Sequence, residues 1–410
     1  MTHDTPLIAT IAVGLSLAFL LGLVAHRLKL PLIAGYLLTG VILGPFTPGW
    51  VADQEIAAEL AEMGVILLMF GVGLHFSLAD LLAVKAAAVP GAIGQIAVAT
   101  AAGTGLGMLL GWGLGASLIF GLSLSVASTV VLLRALQARG IVKQHTGRLA
   151  VGWLIVEDLL MVIVLVLIPP LAGVMGGVTP PVEGEVAEVA RWGIGTLGAT
   201  LLVTGVKVTG FVLLMLVVGR RLIPMVLHYA AHTGQRELFR LSVLAIALGV
   251  AYGSAMFFGV SFALGAFFAG MVMATSTLST QAMKDTLPLR DAFAVLFFVS
   301  VGMLFNPAAI LEQPLALVAT VLIIVGVKSL AAYGLMRAFG HDSHASLLLA
   351  ASLAQIGEFS FIVIAMGVKL AIVPAAAQDL VVAGALVSIL VNPLLFHLLD
   401  RRAPPPATPA

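Results

Sequence analysis

The sequence predicts an all-α polytopic membrane protein of about thirteen transmembrane helices, arranged as an inverted repeat. Three observations predict it. Of the 410 residues, 61% are hydrophobic and only 10% are charged, where soluble globular domains carry about 25% charge. The apolar residues come in continuous runs of about 20, the length that crosses about 30 Å of hydrocarbon. Two stretches of the chain also repeat each other an odd number of runs apart. A soluble enzyme, a nucleic-acid binder and a disordered chain are excluded, because a soluble fold of this size cannot hide so much apolar surface. A β-barrel is excluded as well, since its strands would alternate apolar and polar residues. The partner implied is the lipid bilayer. A net charge of +1 gives no reason for a polyanionic partner. The absence of cysteine removes disulfides and thiol chemistry.

Taken in order, the runs lie near 6–26, 31–49, 56–75, 86–111, 115–137, 148–170, 190–219, 238–257, 259–276, 288–306, 313–338, 345–368 and 377–399. No basic stretch precedes the first, so it reads as an uncleaved span and not as a signal peptide. Gly and Pro interrupt the second and third. The seventh is long enough to require strong tilt or partial contact with the interface, and its Lys207 reads as structural. The last ten residues, RRAPPPATPA (401–410), form a Pro-rich tail that cannot pack.

Lysine and arginine orient the spans, because cytoplasmic loops are enriched in them. With the N-terminus outside, the cytoplasmic side holds Arg27, Lys29, Lys85, Arg134, Arg139, Lys143, Arg148, Arg220, Arg221, Arg236, Arg240, Lys284, Arg290, Arg337, Arg401 and Arg402. The outside holds Arg191 and Lys369, and Lys207 and Lys328 fall inside spans. This asymmetry supports thirteen spans and a cytoplasmic C-terminus. The acidic loop of Glu183, Glu185 and Glu188 falls outside.

The repeat joins ILLMFGVGLHF (66–76) to VLFFVSVGMLF (295–305) at an offset of 229. Gly35 and Gly40 match Gly265 and Gly270 at an offset of 230. Seven spans separate the partners, so the two copies enter the membrane from opposite sides. Inverted repeats of this kind build secondary transporters.

Charges inside the membrane cost about 2.5–3.5 kcal/mol each on insertion scales and therefore mark function. Glu157 and Asp158 are adjacent within span 6 and point about 100° apart, so they face different surroundings. A carboxylate there suits exchange of a proton for a cation: ionised it holds the cation, protonated it is neutral. Lys328, central in span 11, has the acid pair as its economical partner, or the backbone carbonyls of a broken helix. Glu358 lies in a polar patch of span 12 with Ser352, Gln355 and Ser360. Span 5 carries a matching patch with Ser123, Ser125, Ser128 and Thr129, and Ser128 corresponds to Gly357 at the repeat offset. Matched, interrupted polar patches in two repeats point to a binding site built on unwound helices. The four glycines of 103–111 lack a preceding strand, so they read as helix packing and not as a phosphate loop. The nine histidines lie near span ends without metal spacing, and His75 and His341 read as solvated. No cofactor is expected beyond the transported ions.

The run of GYLLTGVILGP (35–45), GVGLHFSL (71–78), VEDL (156–159), ALGAFFAGMV (263–272), LFFVSVGM (296–303), Lys328 and LAQIGEFSF (353–361) resembles the monovalent cation:proton antiporter-2 family, its Kef-type and YbaL-like members. The resemblance runs in order over nearly the whole chain. It implies a homodimeric K⁺ or Na⁺:H⁺ antiporter of a bacterial inner membrane, with K⁺ preferred, working by an elevator-type movement. It implies scaffold helices in 1–83 and 220–308, a moving core in 84–176 and 309–400, and a linker helix in 190–219. It also implies that Asp158 binds the transported ion, that Glu157 sits in the neighbouring acid position, and that Lys328 is the charge partner. Ser125, Ser128, Thr129, Gln355 and Glu358 would support the site. The loop STQAMKDTLPLRD departs from the acidic pattern of glutathione-gated members, so that gating is not implied. A cytoplasmic regulatory domain, separate from this chain or truncated from it, is a further candidate partner. The rival readings are a sodium-coupled organic-anion symporter, which would need a cation for the substrate's carboxylate, and a non-transporting membrane sensor.

Overall fold

The computed structural model describes residues 5–28, 30–49, 51–75, 78–142, 144–178, 184–191 and 195–402. Lys29, Lys143, Glu183 and the tail from 403 onward lie outside the described residues. Every apolar run forms a helix, as buried backbone must in lipid. The first half runs α1 (Pro6–Arg27), α2 (Leu32–Leu43), α3 (Gln54–His75), α4 (Leu78–Leu109), α5 (Leu114–Ser125), α6 (Thr129–Ala138) and α7 (His145–Leu171). A short α8 (Gly184–Val189), α9 (Gly195–Leu214) and α10 (Arg220–His232) follow. The second half runs α11 (Arg236–Phe258), α12 (Phe262–Ala274), α13 (Ser279–Met303), α14 (Ala308–Glu312), α15 (Pro314–Val321), α16 (Lys328–Ala338), α17 (Ser343–Leu353), α18 (Glu358–Lys369) and α19 (Ala375–Arg402).

The count of thirteen full-length spans is not confirmed. Among the described residues, nine helices are long and apolar enough to cross a membrane. A tenth span arises if α17 and α18, bent by 42° at their break, are counted as one. The remaining apolar helices α2, α5 and α12 have 12 or 13 residues. At 1.5 Å per residue they reach only about 20 Å, short of the hydrocarbon thickness.

Three boundaries also shift, because hydrophobicity marks the membrane-buried stretch and not the helix ends. Residues 195–232 form one continuous helical rod of 38 residues, so Arg220 and Arg221 do not end the seventh run. Pro288 does not open α13, which begins nine residues earlier and carries Pro288 within it. The fourth run likewise starts early, at Leu78. Lys207 pairs with Glu185 at 3.0 Å, tying α9 to α8.

The inverted repeat is visible in side-chain-free contacts. α3 packs on α12 and α13, and α2 packs on α13. Gly40 meets Gly302 and the Val299 carbonyl, while Gly73 meets Gly270 and the Phe267 carbonyl. Exchanging the two repeats turns the first of these contacts into the second. Two further contacts map onto themselves: Gly64 against the Phe293 carbonyl, and Gly357 against Ser128, each 229 positions apart. A pseudo-two-fold axis therefore passes through both. Small residues let backbones approach this closely in lipid, where association relies on packing.

Gly40→Val would drive a side chain into backbone that cannot yield. It is expected to cost about 3 kcal/mol or more, read as a lower thermal unfolding midpoint in detergent. Gly249→Ala, with open space around it, should leave that midpoint unchanged.

Candidate functional site

The self-mapping contact between Ser128 and Gly357 sits where two broken helices cross. One break is Val126–Ser128, between α5 and α6; the other is 354–357, between α17 and α18. Both halves of each broken helix leave unpaired backbone groups at the crossing. The side chains satisfy them across the axis. Gln355 Oε1 accepts from Ser128 N at 2.9 Å, and its Nε2 donates to the Ser128 carbonyl at 3.2 Å. Ser360 Oγ reaches the Val126 carbonyl at 3.5 Å. Ser128 caps α6 by accepting from Val131 N at 3.3 Å.

α7 passes alongside this crossing and contributes the acid pair. Its two carboxylates diverge, as a 100° rotation requires. Glu157 Oε2 accepts from Ala127 N in the first break at 2.8 Å. Asp158 Oδ2 accepts from Thr129 Oγ1, at the start of α6, at 3.3 Å. Glu157 Oε1 and Asp158 Oδ1 are both buried without a hydrogen-bond partner. Glu358 opens α18 and accepts from Ser128 Oγ at 3.4 Å. Its charge acts directly on Asp158. Thr129 and Glu358 occupy the same repeat position, 229 apart, each opening the second half of its broken helix.

Lys328 is fully buried. It follows a π-helical stretch, Leu322–Val327; such stretches often occur at functional sites. Its Nζ donates to the Gln355 carbonyl in the second break at 2.6 Å. Its charge also acts on Glu157, although no direct ion pair joins the two within 4.0 Å among the described residues. The ammonium thus holds a broken-helix carbonyl and balances an acid together. Ser125 lies one turn away, donating to Leu122 O at 2.8 Å. All eight sequence-selected residues converge on this crossing.

Sequence reasoning missed Gln95 and Trp153. Gln95 Nε2 donates to the Ser125 carbonyl at 2.8 Å, and Trp153 Nε1 donates to Gln95 Oε1 at 3.2 Å. The available signal was a lone glutamine in the apolar run of span 4. Asn392 of α19 was missed as well; its Nδ2 donates to Ala351 O beside the second break at 2.8 Å.

The transmembrane sodium/hydrogen exchanger family matches residues 15–399 of this chain. The chain belongs to that family. It is a multi-pass membrane protein, and cation/proton antiport is the activity class to which it belongs. The exchanger is 58% identical over 401 residues to a putative cation/proton antiporter, YbaL, of Escherichia coli K12, covering 98% of this chain and 70% of that protein. It is 31% identical over 371 residues to K(+) efflux antiporter 4 of Arabidopsis thaliana, covering 90% of this chain and 60% of that protein. Its fold resembles the sodium proton antiporter MjNhaP1 of Methanocaldococcus jannaschii, with a TM-score of 0.68 at 15% identity over 97% of this chain and 98% of that one.

The charges of the exchanger are not balanced within the crossing. Glu157, Asp158 and Glu358 are buried there, against Lys328, the one buried cation among the described residues, and the part-buried Arg290, whose charge acts on Glu358. Removing one partner of a buried charge set costs about 3–5 kcal/mol, while replacing both by neutral groups costs far less. Lys328→Met should therefore lower the thermal unfolding midpoint sharply. Adding Glu157→Gln to it should recover most of the loss. Simple additivity of the two losses would show that the lysine and the glutamate do not act on each other.

Proposed function

We propose that the protein exchanges K⁺ for H⁺ across a bacterial inner membrane, with Asp158 as the group that holds the two in turn. The charge count at the crossing carries this reading. Three buried carboxylates face one buried ammonium and the part-buried Arg290, whose charge acts on Glu358, and an uncompensated charge in the membrane is costly. The remaining negative charge must be met by protons or by a metal cation, and the two compete for the same oxygens. Asp158 is the fitting seat. It has one oxygen held by Thr129 and the other without a partner. Nearby carbonyls in the two breaks add the neutral oxygen ligands that a weakly held monovalent cation needs. K⁺ is preferred to Na⁺ because one relative of 31% identity is named for K⁺ efflux.

Glu157 and Lys328 have the complementary role in this proposal. Lys328 offsets Glu157 and pins the second break, so the acid pair splits into one neutralised member and one exchangeable member. The moving body comprises residues 84–176 and 309–400, which slide against 1–83 and 220–308, with 190–219 as the link. The protein works as a homodimer with its N-terminus outside. The Gly-to-Gly crossings of α2, α3, α12 and α13 support a rigid scaffold, since such contacts allow little internal movement.

The test is dye-reported proton movement in proteoliposomes carrying a pH gradient, challenged with K⁺, Na⁺ and choline. The wild type should collapse the gradient with K⁺, less well with Na⁺ and not with choline, and Asp158→Asn should abolish the response. Wild-type exchange by Asp158→Asn would refute the assignment. A stronger response to Na⁺ than to K⁺ would overturn the choice of ion.

A further inference from the structure

We propose that Gln95 is a positioning residue for the transport site: its buried amide fixes the carbonyl end of α5 and, through Trp153, the face of α7 that carries Glu157. The inference rests on the transport reading of the crossing and names a residue which that reading does not use.

Gln95 is completely buried in α4, which packs on both α5 and α7. Its Nε2 donates to the Ser125 carbonyl at 2.8 Å, and its Oε1 accepts from Trp153 Nε1 at 3.2 Å. The Ser125 carbonyl can only accept and the indole N–H can only donate, so the group between them must offer a donor and an acceptor from one end. An amide does so in a single orientation. Trp153 is itself fixed, because its ring fills the notch at Gly91, one turn before Gln95. Trp153 and Glu157 are one turn apart on the same face of α7, so fixing the indole fixes the turn that carries Glu157. Glu157 in turn accepts from Ala127 N at 2.8 Å. The circuit from Ser125 through Gln95, Trp153 and Glu157 to Ala127 therefore closes on both sides of Val126.

This circuit decides which carbonyls face the ion. The last carbonyls of α5 have no partner within the helix and carry the negative end of its dipole. Gln95 takes up the one at Ser125. The Val126 carbonyl, one residue on, has only the longer 3.5 Å contact from Ser360 across the crossing. Selectivity among alkali cations depends on the number and placement of such oxygens. The buried charged groups on the helices packed against α4 are Glu157 and Asp158 of α7 and Lys328 of α16, while α5 carries none.

Two variants test the proposal in K⁺- and Na⁺-challenged proteoliposomes. Gln95→Leu keeps the volume and removes both bonds. It should lower the apparent cation affinity on the order of tenfold and change the K⁺/Na⁺ preference. Gln95→Glu can keep both bonds only while its carboxyl carries a proton. Relative to wild type, it should match at acid pH and fall on the order of tenfold at alkaline pH. This relative pH profile is a readout that a mere packing role would not move, and it stands even if Gln95→Leu fails to fold. A ratio of Gln95→Glu to wild type that is constant with pH would overturn the proposal, as would wild-type affinity and preference in a folded Gln95→Leu. Asp158→Asn in the same vesicles separates the two ideas. Exchange retained there sinks the transport reading, whereas exchange lost there with wild-type-like Gln95 variants sinks only this inference.

Discussion

Three carboxylates and one ammonium buried at the crossing of two broken helices set the terms for the rest of the structure. Charge at that depth is tolerated only when something offsets it. Lys328 offsets part of it, and backbone N–H groups freed by the breaks offset more: Ala127 N serves Glu157 at 2.8 Å. The breaks are thus a requirement of the charges, and the charges are what the breaks are for. A continuous helix through 126–128 or 354–357 would consume the donors and carbonyls that this site uses.

Breaks in lipid must be held by neighbours, and the repeat supplies them. The pseudo-two-fold axis brings the two breaks together at Ser128 and Gly357 and brings α3 against α13 at Gly64 and Phe293. The second break satisfies the first, with Gln355 reaching across to Ser128, while Lys328 holds the carbonyl of the second. The backbone is symmetric here, but the chemistry is not. Asp158 and Lys328 have Val387 and Ala99 at the equivalent positions of the other repeat. Thr129 and Glu358 are equivalent to each other, one neutral and one ionisable. One repeat thus brings the acid pair, while the other brings the ammonium and the glutamate that face it.

Much of this was legible in the sequence. Continuous apolar runs gave the helices, and the glycines of 35–40 and 265–270 gave the inverted repeat, because close backbone approach leaves only glycine at a crossing. Buried charges stood out by their cost, and the polar patches of 123–129 and 352–360 marked the breaks. Other features left little trace. Helix ends at Ser279 and His232 lie in polar sequence that hydropathy does not resolve. The shortness of α2, α5 and α12 is hidden because apolar flanks extend the runs. Lys328 met a carbonyl at Gln355 as well as the charge of Glu157, a choice that spacing along the chain cannot make. Gln95 and Trp153 reach the site from α4 and α7 through tertiary packing, 30 to 60 positions from what they touch in sequence order.

In the proposed exchange a cation and a proton compete for the same buried oxygens. Calorimetric titration of the purified protein with K⁺, in buffers of differing protonation enthalpy, counts the protons released on binding. Competition requires release of about one proton per cation bound near the pH at which the site titrates, and loss of both binding and release in Asp158→Asn. Cation binding without proton release across the whole pH range would contradict it.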